Sequence, residues 1–269
     1  MLNKHIKSER GQALLLIVLV MIIALTVGLS LISRSITSIK TSTEEANSQK
    51  ALSAAEAGIE QSIKSNAPIA ESSFGTDTKF ETTIIEVEGT SFLVNGGDIV
   101  RRDDSADVWL SDYSTQSANL YLNPTSADVT INFGTDPTQC NNPALVIDVV
   151  SGSKINPILD KYSYDPCASR RTANNFQAPV SGGDPIEGIT FLYKTPPITI
   201  EETQPGLFLR ITPVYKDGTV GVTSNVALPA QGSVISSTGT TGTAVRKVTV
   251  FQGFPKIPAE FFPYSLFSP

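Results

Sequence analysis

The chain has 269 residues, 17% charged and 40% hydrophobic, enough to bury a core in one large domain or two small ones. Its net charge of −6 is uneven: Lys4, Lys7 and Arg10 against Glu9 give the first eleven residues +2 and leave −8 beyond them, which argues against a nucleic-acid partner. The single histidine, His5, lies in that basic leader, so a processed chain has no imidazole for Ser-His-Asp or Cys-His catalysis or for nitrogen-ligated zinc or iron; this reads as no enzyme and calls for no cofactor.

The first predicted element is apolar. Residues 13–32 carry no charge, and at a rise of 1.5 Å per residue they make about 30 Å of helix, enough to cross a bilayer. The cations before it place the N-terminus in the cytoplasm and the body outside. A secretory signal peptide has a shorter apolar core and then a break. A plain signal anchor accounts for the hydrophobicity and orientation equally well.

Helix continues beyond the span. From Ser33 to Ser65 there is no proline, and the one glycine is Gly58. Ile36, Ile39 and Ala46, then Leu52, Ala55, Ile59 and Ile63, recur near one helical face, which predicts an apolar packing stripe. Pro68 marks the stop. The expected helix over 12–66, with 13–32 in lipid and 33–66 as the packing half, is on the order of 80 Å long.

These residues carry a family resemblance. The leader ends in Gly11, and a polar residue, Gln12, opens the unbroken apolar helix; this resembles a type IV prepilin. The stretch SQKALSAAEAGIEQSI (Ser48–Ile63) is similar to the same region of X-type minor pilins and K-type pseudopilins. The resemblance covers the first quarter of the chain and implies cleavage between Gly11 and Gln12 by prepilin peptidase, with methylation of the new amine. It also implies an inner-membrane assembly platform and other pilins as partners. The chain would be a membrane protein first and part of an extracellular filament later. Two departures matter: Gln12 stands where many members have Phe, and Leu16 stands where major pilins carry a register-setting Glu. A carboxylate in lipid is costly unless paired. A subunit without it resembles those placed at a filament tip, the alternative being that Leu16 simply faces lipid.

Past residue 67 the pattern changes to short β-branched and aromatic runs between Gly, Asn, Asp, Pro and Ser clusters. Strands are expected at 79–88, 91–94, 107–110, 119–122, 128–133, 144–150, 188–193, 207–214, 219–228 and 244–252. Asn95-Gly96-Gly97 and Lys216-Asp217-Gly218 supply turn positions. Asp103 to Asp107 alternates oxygen ligands as calcium loops do, but lacks their later Gly and Glu, so a solvated acidic loop is the stronger reading. Cys140 and Cys167 lack metal or redox spacing; outside the cytoplasm they form a disulfide, and otherwise two buried thiols. Gln231–Ala244 reads as a mobile Ser/Thr/Gly loop. Phe251–Pro269 reads as an aromatic, proline-rich tail strapped over the sheet, or as an exposed adhesive patch.

The expected class is therefore α+β: a long N-terminal helix, transmembrane then amphipathic, followed by a β-rich extracellular domain (67–269), an antiparallel sheet or sandwich. The expected function is a minor pilin or pseudopilin. The rival is a signal-anchored surface adhesin whose β-domain binds its ligand directly.

Overall fold

A single helix, Arg10–Ser65, runs for 56 residues without interruption. The computed structural model describes residues 10–113, 121–153 and 156–255. The chain divides into two compact units, Met1–Thr82 with Ser237–Val248, and Thr83–Ser236 with Thr249–Pro269.

In the first unit the upper end of the helix packs on β-structure through small residues. Ala51, Ala54, Ala55, Gly58, Ile59 and Ser62 are buried. Opposite them lie Thr78, Phe80 and Thr82 of the Thr78–Glu86 strand, and Ser237, Gly239 and Thr241 of the Gly232–Thr241 strand. The approach is close enough that a Cβ on Gly239 would collide with the Ala51 carbonyl oxygen. One on Gly58 would collide with Ser237 and with the Phe80 ring. Two hydroxyl pairs lie in the contact: Ser62 and Thr82 share a 2.7 Å hydrogen bond, and Thr241 donates to Thr78 at 2.9 Å. At the lower end of the contact, the Arg246 guanidinium donates to Ser48 Oγ at 2.8 Å.

Two expectations change here. Of the expected stripe Ala55 and Ile59 are buried, whereas Leu52 and Ile63 are 41% exposed, and Ile36 and Ile39 are 62% and 65% exposed; the rest of the buried face is made of small residues. Large side chains would hold helix and sheet apart, so the alanines and Gly58 take the inside. The segment 231–244 is mostly strand, not a mobile loop. Its alternate residues Ile235, Ser237, Gly239 and Thr241 are buried. A strand facing that helix cannot carry bulk, so its composition resembles a linker while its period of two is that of a sheet.

The second unit is built of antiparallel strands. One sheet has the spatial order Val180–Ser181, Tyr193–Lys194, Ala127–Phe133, Val220–Leu228, Gly89–Leu93, with Ile198–Ile200 also paired to Ala127–Phe133. The other runs Ala106–Trp109, Gly206–Val214, Ala144–Gly152, Pro157–Tyr164. They share one core: Val129, Ile131 and Val222 from the first sheet meet Ile147, Leu209 and Ile211 from the second. The edge strand Ala106–Trp109 is closed by a side chain. Gln231 accepts from the Trp109 N–H at 2.7 Å and donates to its carbonyl at 3.0 Å, as a neighbouring backbone would.

Most expected strands lie within two residues of these. The run 188–193 instead forms two short pieces, Ile189–Thr190 and Tyr193–Lys194, and of 119–122 the described part is Tyr121–Leu122. The short strands Val180–Ser181 and Ile198–Ile200 are not among the expected ones, and two longer elements are missed as well. Pro157–Tyr164 is an edge strand with Asp160 and Lys161 exposed, and Ala168–Asn174 is a helix of only seven residues. Asn95, Gly96 and Gly97 have positive φ as a turn requires, but in the Lys216 turn it is Tyr215 that does, at φ 71°.

Candidate assembly interface

The lower part of the long helix is exposed among the described residues. Residues 14–46 are exposed almost throughout, including every large apolar side chain from Leu14 to Ile32. Such a surface is a candidate membrane span or signal anchor. Its one threonine, Thr26, donates its hydroxyl to the Ile23 carbonyl at 2.8 Å, so no polar group of that side chain faces outward unsatisfied. Thr37 and Thr43 repeat the device beyond the span, about one and three turns on.

Gly11 and Gln12 lie in the first turn of this helix, with their side chains outside the described residues, as is the leader before Arg10. Leu16 follows on the same helix, 62% exposed. Neither Cys140 nor Cys167 belongs to this unit. The five residues singled out from the sequence therefore form no single site: three mark one end of a helix, and two lock a loop.

That lock is a disulfide, Cys140–Cys167, with Cα atoms 4.5 Å apart. It pins the turn Gln139–Asn141 to the start of the short helix Ala168–Asn174. Beside it, Asp165 is wholly buried and salt-bridged to Arg170 at 2.7 Å. Its carboxylate also accepts from the Cys167 N–H and from Asn174, each at 2.8 Å. Arg170 in turn donates to the carbonyls of Cys140 and Asn142 and lies 4.7 Å from the Tyr215 ring centroid. A buried charge this well supplied with partners stabilises the geometry it sits in.

A second polar feature is not foreshadowed by any sequence motif. Across the four-stranded sheet, Asp107, Arg210, Asp148 and Lys161 are successive cross-strand partners, alternating in sign. Arg210 grips Asp107 through two hydrogen bonds, at 2.7 and 2.9 Å, and Lys161 lies 3.2 Å from Asp148. The signal available was weak, since each residue alone reads as a solvated charge. Asp107 is thus committed to Arg210, while Asp103 pairs with Arg102 at 3.2 Å and the Asp104 carboxylate accepts from Ser105 N–H. Among the described residues no group of three or more His, Cys, Asp or Glu side chains is placed to hold a metal.

Next to this ladder Trp109 is packed by Tyr113, Tyr121, Phe208 and Phe254, with ring centroids 5.0 to 5.9 Å away. Burial pushes the Tyr121 hydroxyl above its ordinary pKa, with Asp107 adding to the effect and Arg210 opposing it. Phe254 belongs to the aromatic C-terminal segment, of which residues 256–269 lie outside the described residues. Phe251, also of that segment, packs over Gly96. The beginning of the segment is therefore folded onto the sheet domain.

No protein-family model matches this chain, and neither a curated protein nor a solved structure matches it.

Proposed function

We propose that this chain is a structural, non-catalytic subunit of a type IV pilus-like filament, a minor pilin or pseudopilin. The observation that carries the reading is the division of labour along one unbroken 56-residue helix. Its upper end is used up by its own sheet, through the AAEAG segment that carries the sequence resemblance. Its lower end, residues 14–32, is apolar on every side and exposed among the described residues. In the membrane, lipid covers that surface; in a filament, neighbouring helices do.

In this reading prepilin peptidase cuts between Gly11 and Gln12, an inner-membrane platform extracts the helix, and the β-domain faces outside the cell. Leu16 offers no carboxylate to a subunit above it, which suits a tip or initiating position. Immunogold labelling of sheared filaments with antibody to the β-domain tests this. Label at one end, and fewer filaments when the protein is deleted, is the expected result. Label spread evenly along the shaft refutes the tip position, and protein absent from filaments refutes membership and favours a signal-anchored surface adhesin.

A further inference from the structure

Cys140 and Cys167 are 27 positions apart, and hydrogen bonds organise both segments that carry them, apart from the bond between the sulfurs. The turn at 136–142 is built around the buried Asn142. Its Nδ2 donates to the Asp136 and Thr138 carbonyls at 2.7 and 3.1 Å, and its Oδ1 accepts from the Asp136 N–H at 3.0 Å. The segment at 165–171 is built around Asp165, whose carboxylate accepts from the Cys167 N–H. There Arg171 also donates to the Asp165 and Pro166 carbonyls, at 2.8 and 3.2 Å. Arg170 joins the two segments. Its guanidinium is forked onto the Asp165 carboxylate at 2.7 to 3.2 Å and reaches across to the carbonyls of Cys140 at 3.2 Å and Asn142 at 2.9 Å. A planar fork of five donors holds all of these partners at once, which a lysine ammonium cannot do.

The two cysteines differ in access. Cys167 is 1% exposed, whereas Cys140 lies in the open. The Ser169 hydroxyl is 3.2 Å from Cys167 Sγ and 3.7 Å from Cys140 Sγ, where it can donate to a thiolate. Thiol–disulfide exchange requires direct attack of a thiolate on a sulfur, so access decides which cysteine a reagent from solution meets first.

We propose that the fold precedes this bond and that the bond closes in a fixed order. Cys140 takes up the oxidant, and Cys167, positioned by the Asp165–Arg170 pair, completes the link. In the first step the Cys140 thiolate attacks a disulfide oxidant, forming a mixed disulfide and releasing one thiolate. In the second the Cys167 thiolate attacks the Cys140 sulfur and releases the other half of the oxidant as a thiolate. The protein gives up two thiol protons and two electrons, and one disulfide of the oxidant is reduced to two thiols. Arg170 is a positioning residue: it acts through the backbones of both segments and so sets the distance between the sulfurs. The inference does not depend on filament membership.

Reduced full-length protein, mixed with glutathione disulfide and quenched with acid at intervals, tests this by intact mass. Reduction alone should leave the fluorescence of the single tryptophan native. Cys167→Ser should gain a glutathione adduct at Cys140 about tenfold faster than Cys140→Ser gains one at Cys167, with the difference lost in urea. Arg170→Lys keeps a charge beside Asp165 but loses the fork to the two carbonyls. It should leave capture at Cys140 unchanged and slow closure about tenfold, so that the mixed disulfide accumulates. Loss of the native fluorescence on reduction overturns folding before the bond. Equal rates for the two serine variants in folded protein, or a faster Cys167, overturn the order, and that comparison needs no change at Arg170. Closure of Arg170→Lys at the rate of the unaltered protein overturns the positioning role.

Discussion

Asp165 has no exposure, yet its charge is matched by the guanidinium of Arg170 and by hydrogen bonds from Cys167 and Asn174. Asp165→Asn should therefore destabilise the protein by about 3–5 kcal/mol, because Arg170, itself mostly buried, is left without its counter-charge. Urea unfolding monitored at the single tryptophan reads the loss; an unchanged midpoint would contradict the network's role. Tyrosines give a pH signature. Burial pushes the hydroxyls of Tyr162 and Tyr164 above the ordinary range, helped by Asp160 and Tyr162 respectively, as it does for Tyr121. A raised folded-state pKa favours the neutral form in the native protein. Stability from these groups is thus complete below about pH 10 and declines above it, where the unfolded chain ionises first. Alkaline spectrophotometric titration should show a late-ionising set of tyrosines, with the melting temperature falling over the same pH range. Single residues of this kind were the least legible in the sequence. Asp107 looked like one oxygen of a calcium loop, and only the strand register reveals that it faces Arg210.

Elements were more legible where they obey a period. The helix announced itself by its length without proline, and strands such as Ala144–Gly152 by their apolar runs. What failed was amplitude. The expected helix stripe includes Ala55 and Ile59, which do pack on the sheet, but most of the contact is made by small residues outside it, Ala51, Ala54, Gly58 and Ser62, and the facing strand reads as a mobile loop for the same reason. This makes a sharp prediction. Gly239→Val places atoms where the Ala51 carbonyl oxygen already lies and should cost about 1–3 kcal/mol, or more if the helix cannot shift. Thermal unfolding should show the drop, whereas Gly75→Val, whose Cβ meets nothing, costs only its backbone strain. The disulfide works at the same scale: closing its loop contributes roughly 3–4 kcal/mol through the unfolded chain. It also holds the seven-residue helix Ala168–Asn174, which is too short to persist alone.

At the scale of the whole molecule, the class was readable because a charge-free span, a helical extension and a β-rich body differ so plainly in composition. Where the chain acts depends on how it is processed. Every step proposed for the assembled protein, from extraction of the helix to the absence of a carboxylate at the fifth mature position, presupposes that Gln12 becomes the first residue. Intact-mass and N-terminal peptide analysis of the protein from its native host measures this directly. The account predicts a mature chain beginning at Gln12, with or without a methyl group on its amine; a chain still beginning at Met1 would contradict it and leave a plain signal anchor.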